Sequence, residues 1–199
     1  MSVNASLVRI GTPDQLTTGA IMRAPLGTAL PDLDDITPEK VTIDEGFEDA
    51  GYVGEDGVTL TPEYSTSDIV AWGGSIVRRV LENFNGEINF PLIQTDEAGF
   101  KMVFGDDFVE SVAATQTHGN QLKAALGAHL PDPGAWIFKM KDGKARMLIL
   151  VPNGQVTGID EVTFNNTDPV AWTPTISCYP DENGESIYIL TDDGEVASA

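Results

Sequence analysis

Glycine and proline interrupt this chain so often that little room is left for long helices. The 199 residues include 20 glycines and 12 prolines, a frequency typical of all-β proteins with many turns. At Ile88, Phe90 and Leu92 the apolar side chains alternate with other residues, which is the period of a half-buried strand. We therefore predict a mainly β domain, a β-sandwich or barrel-like fold of roughly eight to ten strands.

Three residue pairs have the composition of tight hairpin turns. Asn85-Gly86, Asp142-Gly143 and Asn153-Gly154 each combine a residue that tolerates positive φ with a glycine. We expect the chain to reverse at each of them. The clearest hairpin is predicted around Asp142-Gly143, because Trp136–Lys141 and Lys144–Val151 both have strand character.

One segment, Thr95–Gly105, has the features of a helix. Thr95 is a suitable N-cap, and Asp96 and Glu97 favour the positive end of the helix dipole. Gly105 suits the position that follows the last helical turn. We predict a single α-helix here that flanks the strands.

Residues 31–63 are the most acidic part of the chain. They contain one basic residue, Lys40, and the following acidic residues: Asp32, Asp34, Asp35, Glu39, Asp44, Glu45, Glu48, Asp49, Glu55, Asp56 and Glu63. A run of this composition has little to bury, so it predicts a long exposed loop or an extended hairpin. We expect it to project from a single domain over 1–199, with an N-terminal arm over 1–19 and a flexible C-terminus over 192–199.

The charge of the chain excludes a protein that grips nucleic acid. The formal net charge is −20, from 31 acidic and 11 basic residues, whereas phosphate binding requires clustered lysine and arginine. A surface that repels DNA is compatible with this charge. The longest strongly apolar run, Met147–Val151, is far too short to span a bilayer, so we expect no membrane partner.

No set of residues has the spacing of a catalytic or metal site. His118 and His129 are the two histidines and Cys178 is the one cysteine, so a cysteine-based zinc site cannot form. Nucleophile-elbow, Walker and dinucleotide-binding motifs are missing. We expect no catalytic residue, no cofactor and no metal ligand, while loose cation binding by the acidic residues stays open.

A stretch from Ala50 to Gly105 carries five motifs in order. They are a turn at Gly51–Val58, the sequence Asp-Ile-Val-Ala-Trp-Gly-Gly at Asp68–Gly74, a valine- and arginine-rich strand at Ile76–Leu81, a helix start at Thr95–Glu97, and Val-Phe-Gly at Val103–Gly105. In these motifs and their order, over more than a quarter of the chain, the sequence resembles the major tail tube proteins of long-tailed, siphovirus-type bacteriophages.

The resemblance implies a virion structural protein and not an enzyme. In that family six copies form a ring, rings stack into a tail tube, and genome DNA passes through the lumen during ejection without specific binding. It further implies a β-sandwich with a helix on one side, and contacts between rings through both termini and a long loop. Tape measure, tail terminator and tail tip proteins are the implied partners. We expect the protein in the tail of the virion, after synthesis in the host cytoplasm.

Within the acidic segment, Thr42–Thr61 occupies the place of the loop that joins rings in that family. We therefore expect an inter-ring stacking role for six acidic residues: Asp44, Glu45, Glu48, Asp49, Glu55 and Asp56. Their partners on the neighbouring ring are expected among the surplus basic residues Arg9, Arg23, Lys139, Lys141 and Arg146. A second set of residues is expected to pack within the fold or between subunits: Trp72, Gly73, Gly74, Val103 and Phe104. The indole of Trp72 is expected to be buried where the chain bends.

Two other kinds of protein stay open on the sequence alone. A tail terminator or a secretion-tube subunit shares the ring-forming fold, but is expected to lack the acidic segment and the Trp72-Gly73-Gly74 sequence. An acidic β-sandwich binding module is expected to display aromatic residues in loops, whereas Trp72, Trp136 and Trp172 occupy strand-like segments.

Overall fold

The computed structural model describes residues 3–4, 7–14 and 19–197. The rest of the predicted N-terminal arm and the last two residues of the predicted C-terminus lie outside these described residues. The described chain contains one α-helix, α1 (Glu97–Phe104), and eleven strands: β1 (Thr12–Pro13), β2 (Ile21–Pro25), β3 (Glu48–Asp49), β4 (Thr59–Val70), β5 (Ile76–Asn89), β6 (Val109–Val112), β7 (Gln121–Ala124), β8 (Gly134–Asp142), β9 (Ala145–Ile159), β10 (Pro174–Tyr179) and β11 (Tyr188–Asp192). The prediction of a mainly β fold with one helix is confirmed.

The strands form one large antiparallel sheet and one separate hairpin. The large sheet has the order β3-β2-β8-β9-β10-β5-β4, with β1 paired to β8 and β11 paired to β9. Strand β9 is long enough to hold two partners along one edge: its residues 146–150 pair with β11 and its residues 153–159 pair with β10. Strands β6 and β7 pair only with each other. The centre of the fold is therefore the β8–β9 pair.

Both faces of β8 and β9 are buried, because successive side chains of a strand point to opposite faces. On β8, Trp136 and Phe138 belong to one apolar cluster, while Ala135 and Ile137 belong to another. The sheet thus carries a core on each face, and each core requires its own cover.

The first core is closed by α1 and by the sheet itself. Met102, Val103 and Phe104 of α1 are buried in it. The ring of Phe90, directly after β5, lies 6.3 Å from that of Trp136 and 5.9 Å from that of Phe138. Three strand spacings, about 14 Å in a flat sheet, separate β5 from β8, so the sheet must curl strongly. This curvature gives the fold its barrel-like character.

The second core is closed by the acidic segment, which corrects the exposed-loop prediction for residues 31–49. Ile36 and Phe47 are buried against the sheet, with Val41 and Ile43 packed beside them. A bridge joins Ile36 to Val41, and β3 extends the sheet beside β2. The apolar side chains are spaced singly between carboxylates, so each can reach the core while its acidic neighbours face water. We call residues 31–49 the acidic cover.

Two of the three predicted turns are wrong. The turn at Asp142-Gly143 is confirmed between β8 and β9, but Asn85-Gly86 lies inside β5 and Asn153-Gly154 lies inside β9. A lack of space for a side chain explains why glycine occurs at both positions. A Cβ on Gly86 would lie 2.7 Å from the side chain of Ile187, and one on Gly154 would lie 2.8 Å from the indole of Trp136. These glycines admit a close neighbour and do not reverse the chain.

The predicted helix is confirmed, with its start shifted by one residue. Asp96, and not Thr95, is the N-cap, and its carboxylate accepts a hydrogen bond of 2.8 Å from the N–H of Gly99. Gly105 ends the helix at a φ of 97°, a conformation that glycine adopts without strain.

Candidate assembly surface

The β4–β5 hairpin extends well beyond the sheet that anchors it. Only residues 86–89 of β5 pair with β10, whereas β5 pairs with β4 from residue 76 to residue 89. Beyond the shared section the two strands pair only with each other, and nearly all their residues there are exposed. We call residues 61–85 the ribbon. A two-stranded ribbon is marginally stable alone in water.

The strand register assigns the ribbon side chains to two faces. Cross-strand partners share a face, so Tyr64 and Phe84 follow on from the core pair of Leu60 and Ile88. The rings of Tyr64 and Phe84 are 5.0 Å apart. The core face of the sheet therefore continues outward as an apolar stripe along the ribbon.

An ion pair crosses the ribbon on this same face. The guanidinium of Arg79 donates two hydrogen bonds to the carboxylate of Asp68, at 2.8 and 3.0 Å. The hydrogen bond from Arg79 lowers the pKa of Asp68, and Asp68 in turn raises the pKa of Arg79. Both groups are exposed, so the pair fixes the ribbon's geometry more than it adds stability.

The tip of the ribbon corrects the prediction for Trp72. The chain reverses between Ala71 and Ser75, where the N–H of Ala71 donates to the carbonyl of Ser75 at 2.8 Å and Gly74 has a φ of 85°. Gly73 and Gly74 thus form the turn itself. Trp72 is fully exposed there and not buried at a bend inside the subunit. An exposed tryptophan in a turn also removes one of the sequence arguments against a binding module.

The ribbon holds an unusual amount of exposed apolar surface. Seven of its large apolar side chains are exposed: Tyr64, Ile69, Val70, Trp72, Ile76, Val77 and Leu81. Scattered apolar residues are normal on a protein surface, but their concentration on one projecting element indicates an interaction site.

The six acidic residues predicted to join rings differ in their surroundings. Asp49 is half-buried, and its carboxylate accepts hydrogen bonds from the N–H groups of Gly19 and Gly51. Its role is therefore within the subunit. Asp44 caps a local turn at Gly46 N–H, while the others are exposed at the cover or at the following turn: Glu45, Glu48, Glu55 and Asp56.

Two predicted basic partners are excluded from any contact between rings. Arg23 is buried, with Nη1 3.1 Å from a carboxylate oxygen of Asp106 and Nη2 3.0 Å from the carbonyl of Asp132. Arg146 is buried as well and pairs with Asp14. Its guanidinium also donates to carbonyl oxygens of the acidic cover, at 2.8 Å to Thr37 and 3.2 Å to Pro38. These arginines hold their own subunit together.

Lys139 is excluded for the same reason, whereas Arg9 and Lys141 keep their predicted role. Lys139 lies inside the fold, and burial lowers the pKa of its ammonium group, an effect opposed by Asp14 and Asp49. Arg9 and Lys141 are half-buried. Their pairing with a neighbouring ring stays a prediction.

The structure places Arg78, which the stacking prediction overlooked, on the outside of the ribbon. It faces away from the Arg79–Asp68 pair, and its side chain makes no ion pair or hydrogen bond in the part of the chain that the structure describes. The Arg78-Arg79 sequence already indicated that one of the two arginines lacks a partner on the opposite strand. Neighbouring residues of a strand point to opposite faces, so Asp68 can pair with only one of them.

Val103 and Phe104 lie where packing residues are expected, in the first core. The ring of Phe104 lies 5.2 Å from those of Phe100 and Trp172, in edge-to-face geometry. These two residues therefore pack within the subunit, while the role of Trp72, Gly73 and Gly74 between subunits stays a prediction.

The described residues contain no cluster of three or more metal-ligating side chains. Burial raises the pKa of the Cys178 thiol to about 12, which keeps it protonated and unreactive. Within the described chain, no helix is both long and apolar enough to cross a membrane. The prominent surface feature of the described chain is the ribbon, because no other part of the subunit packs over it.

Such a subunit belongs to the class of β-rich proteins that complete their surface by assembly. The family of phage tail tube proteins matches residues 1–199, so this chain belongs to that family. It is a structural protein of the virion.

Two further comparisons add no functional detail. A chain from a solved structure described as the virion of a native gene transfer agent particle is similar, with a TM-score of 0.37 and 12% identity, over 68% of this chain and 85% of that chain. A likeness this distant carries no conclusion about the protein. No curated protein matches the chain.

Proposed function

We propose that this protein forms hexameric rings that stack into the phage tail tube, the conduit for genome DNA during ejection. Membership of the tail tube family supports assembly into a tail with other virion components. Tape measure, tail terminator and tail tip proteins are the partners that such a tube requires along its lumen and at its two ends.

The observation that carries this proposal is the ribbon. It exposes both faces and seven large apolar side chains, although no chemistry in the subunit requires their exposure. A neighbouring copy would cover this surface and stabilise a hairpin that is marginal alone. The ribbon, more than the acidic segment, is thus the element suited to hold subunits together.

The charge of the chain suits the passage of DNA. At −20, the subunit has few cations that a phosphate backbone could bind. A lumen surrounded by such subunits lets DNA slide without specific contacts. The same charge keeps free subunits apart until assembly is initiated.

Shortening the ribbon tests the proposal. We expect a variant in which Asn-Gly replaces residues 64–84 to keep the melting temperature of the parent subunit within a few degrees. The removed residues pair only with each other, and Asn-Gly closes a two-residue hairpin between Glu63 and Asn85. Sedimentation should show large assemblies for the parent and subunits alone for the variant.

Two results would contradict the proposal. A shortened protein that assembles like the parent would show that the ribbon is not the contact. A shortened protein that no longer folds would show that the ribbon belongs to the core of its own subunit.

A further inference from the structure

We propose that the outer half of the ribbon (residues 66–81) of one copy docks on the acidic cover of a neighbouring copy. Arg78 then faces the exposed carboxylates of that cover. This inference names the partner surface of the ribbon and rests on the proposed assembly.

The outer half of the ribbon and the acidic cover carry opposite charge. Residues 66–81 of the ribbon carry three charged side chains: Asp68, Arg78 and Arg79. Because Arg79 pairs with Asp68, Arg78 is the one unpaired charge of this outer section, a positive charge on a chain of net charge −20. Glu63 and Glu82 lie nearer the base of the ribbon. The acidic cover contains eight acidic residues and one lysine, Lys40. The two surfaces are therefore electrostatically complementary.

Both surfaces also carry charged side chains without a partner among the described residues of their own subunit. Arg78 is exposed and has no ion-pair partner among the described residues. On the cover, Asp34, Glu39 and Glu45 are exposed and make no side-chain hydrogen bond or ion pair within the described chain. Other carboxylates there serve the subunit, such as Asp32 and Asp35, which form a reciprocal capping box.

The two surfaces lie at opposite ends of the strand order. The cover lies over β2, β8 and β9 and joins the sheet through β3, at one end of the strand order. The ribbon belongs to β5 and β4, at the other end. A contact between two different surfaces of the same chain is heterologous, and it repeats from copy to copy as a ring or a continuing stack.

Apolar residues complete the contact. Trp72 at the tip, with Val70 and Ile76 beside it, is exposed next to the charged section of the ribbon. An exposed indole beside an arginine is a common anchor of protein interfaces. The apolar tip supplies attraction, and Arg78 sets the position at which the ribbon lies on its neighbour.

A charge-reversal experiment on the full chain tests the contact. We expect Arg78→Glu to raise the protein concentration needed for assembly by roughly tenfold, because several copies of an exposed pair act together. The combined change of Asp34, Glu39 and Glu45 to lysine should have a similar effect. A variant that carries both sets of changes should recover assembly, since the charges then match again with opposite signs.

Two controls separate this contact from general effects. Lys144→Glu makes the same change of net charge on the exposed β8–β9 turn, away from the ribbon, and should assemble like the parent. All variants should melt at the parent temperature as subunits, since none of the four changed side chains of the two surfaces makes a hydrogen bond or ion pair among the described residues of its own subunit.

The outcomes distinguish the contact from the assembly. If the parent assembles but Arg78→Glu also assembles normally, or the combined variant does not recover, the contact with the acidic cover is wrong and the assembly stands. If the parent itself forms no assembly, the proposed function fails and the contact fails with it.

Discussion

At the scale of single residues, the same side chain has opposite roles according to its position. Arg23 and Arg146 are buried and tie distant segments of one subunit, while Arg78 stands exposed on the ribbon. A buried arginine needs its partners, because an unpaired buried charge costs several kcal/mol, about 3–5. An exposed arginine is available to another chain. Composition alone does not separate these cases, because Arg23, Lys139 and Arg146 seemed surplus in the sequence and yet are buried in the subunit.

Two tryptophans give a matched test of this distinction. Trp136 is 1% exposed and donates a hydrogen bond of 3.0 Å from Nε1 to the carbonyl of Gly154, whereas Trp72 is fully exposed. We expect Trp136→Ala to lower the free energy of unfolding by about 3–5 kcal/mol. Trp72→Ala should leave it unchanged within about 0.5 kcal/mol and weaken assembly instead.

Chemical denaturation of the dilute subunit, with sedimentation of concentrated protein, measures both effects. Equal destabilisation by the two substitutions would show that Trp72 packs within its own subunit.

At the scale of elements, periodicity was a good guide and turn composition was a poor one. The alternation at Ile88, Phe90 and Leu92 predicted correctly which side chains enter the core, because alternation reports the direction of side chains directly. The turn predicted at Asn85-Gly86 is wrong because Gly86 is required for a different reason: a Cβ there would collide with the side chain of Ile187. That contact joins residues far apart in the sequence and cannot be seen in the sequence. The prediction that Trp72 is buried is wrong because the sequence pattern does not distinguish an apolar residue of the core from one exposed on the surface.

The β10–β11 connection gives an element-scale prediction that depends on pH. The hydroxyl of Tyr188 donates a hydrogen bond of 2.8 Å to Asp181, and this bond is the main cause of the lowered pKa of Asp181. The folded pKa lies below the unfolded value, about 3.9. The contribution of Asp181 is therefore present above that value and is lost as the pH falls through the folded pKa.

We expect Tyr188→Phe to raise the pKa of the Asp181 carboxyl, as followed by an NMR titration of its side chain, because the phenyl ring removes the main donor. The backbone N–H groups of Asn183 and Glu185 still donate to Asp181, so the pKa should stay below the ordinary value. An unchanged pKa in the variant would mean that the tyrosine hydroxyl does not contact Asp181 in solution.

At the scale of the whole molecule, the subunit combines a packed body with the exposed ribbon. The body buries both faces of its central strands, and the acidic cover is part of that body. The ribbon leaves seven large apolar side chains exposed. Alternation, turn frequency and the motifs from Gly51 to Gly105 predicted the fold class and the family. They did not predict the uncovered ribbon, because exposure depends on which strands remain without neighbours in the finished sheet.

The central claim is that this subunit assembles into tubes through its uncovered ribbon. Electron microscopy of concentrated, negatively stained protein in high salt tests it most directly, because salt shortens the range of repulsion between subunits of charge −20 to about 3 Å at 1 M. The account predicts rings in end view and stacked tubes with a central channel in side view. A uniform field of single subunits across all salt and protein concentrations would contradict it.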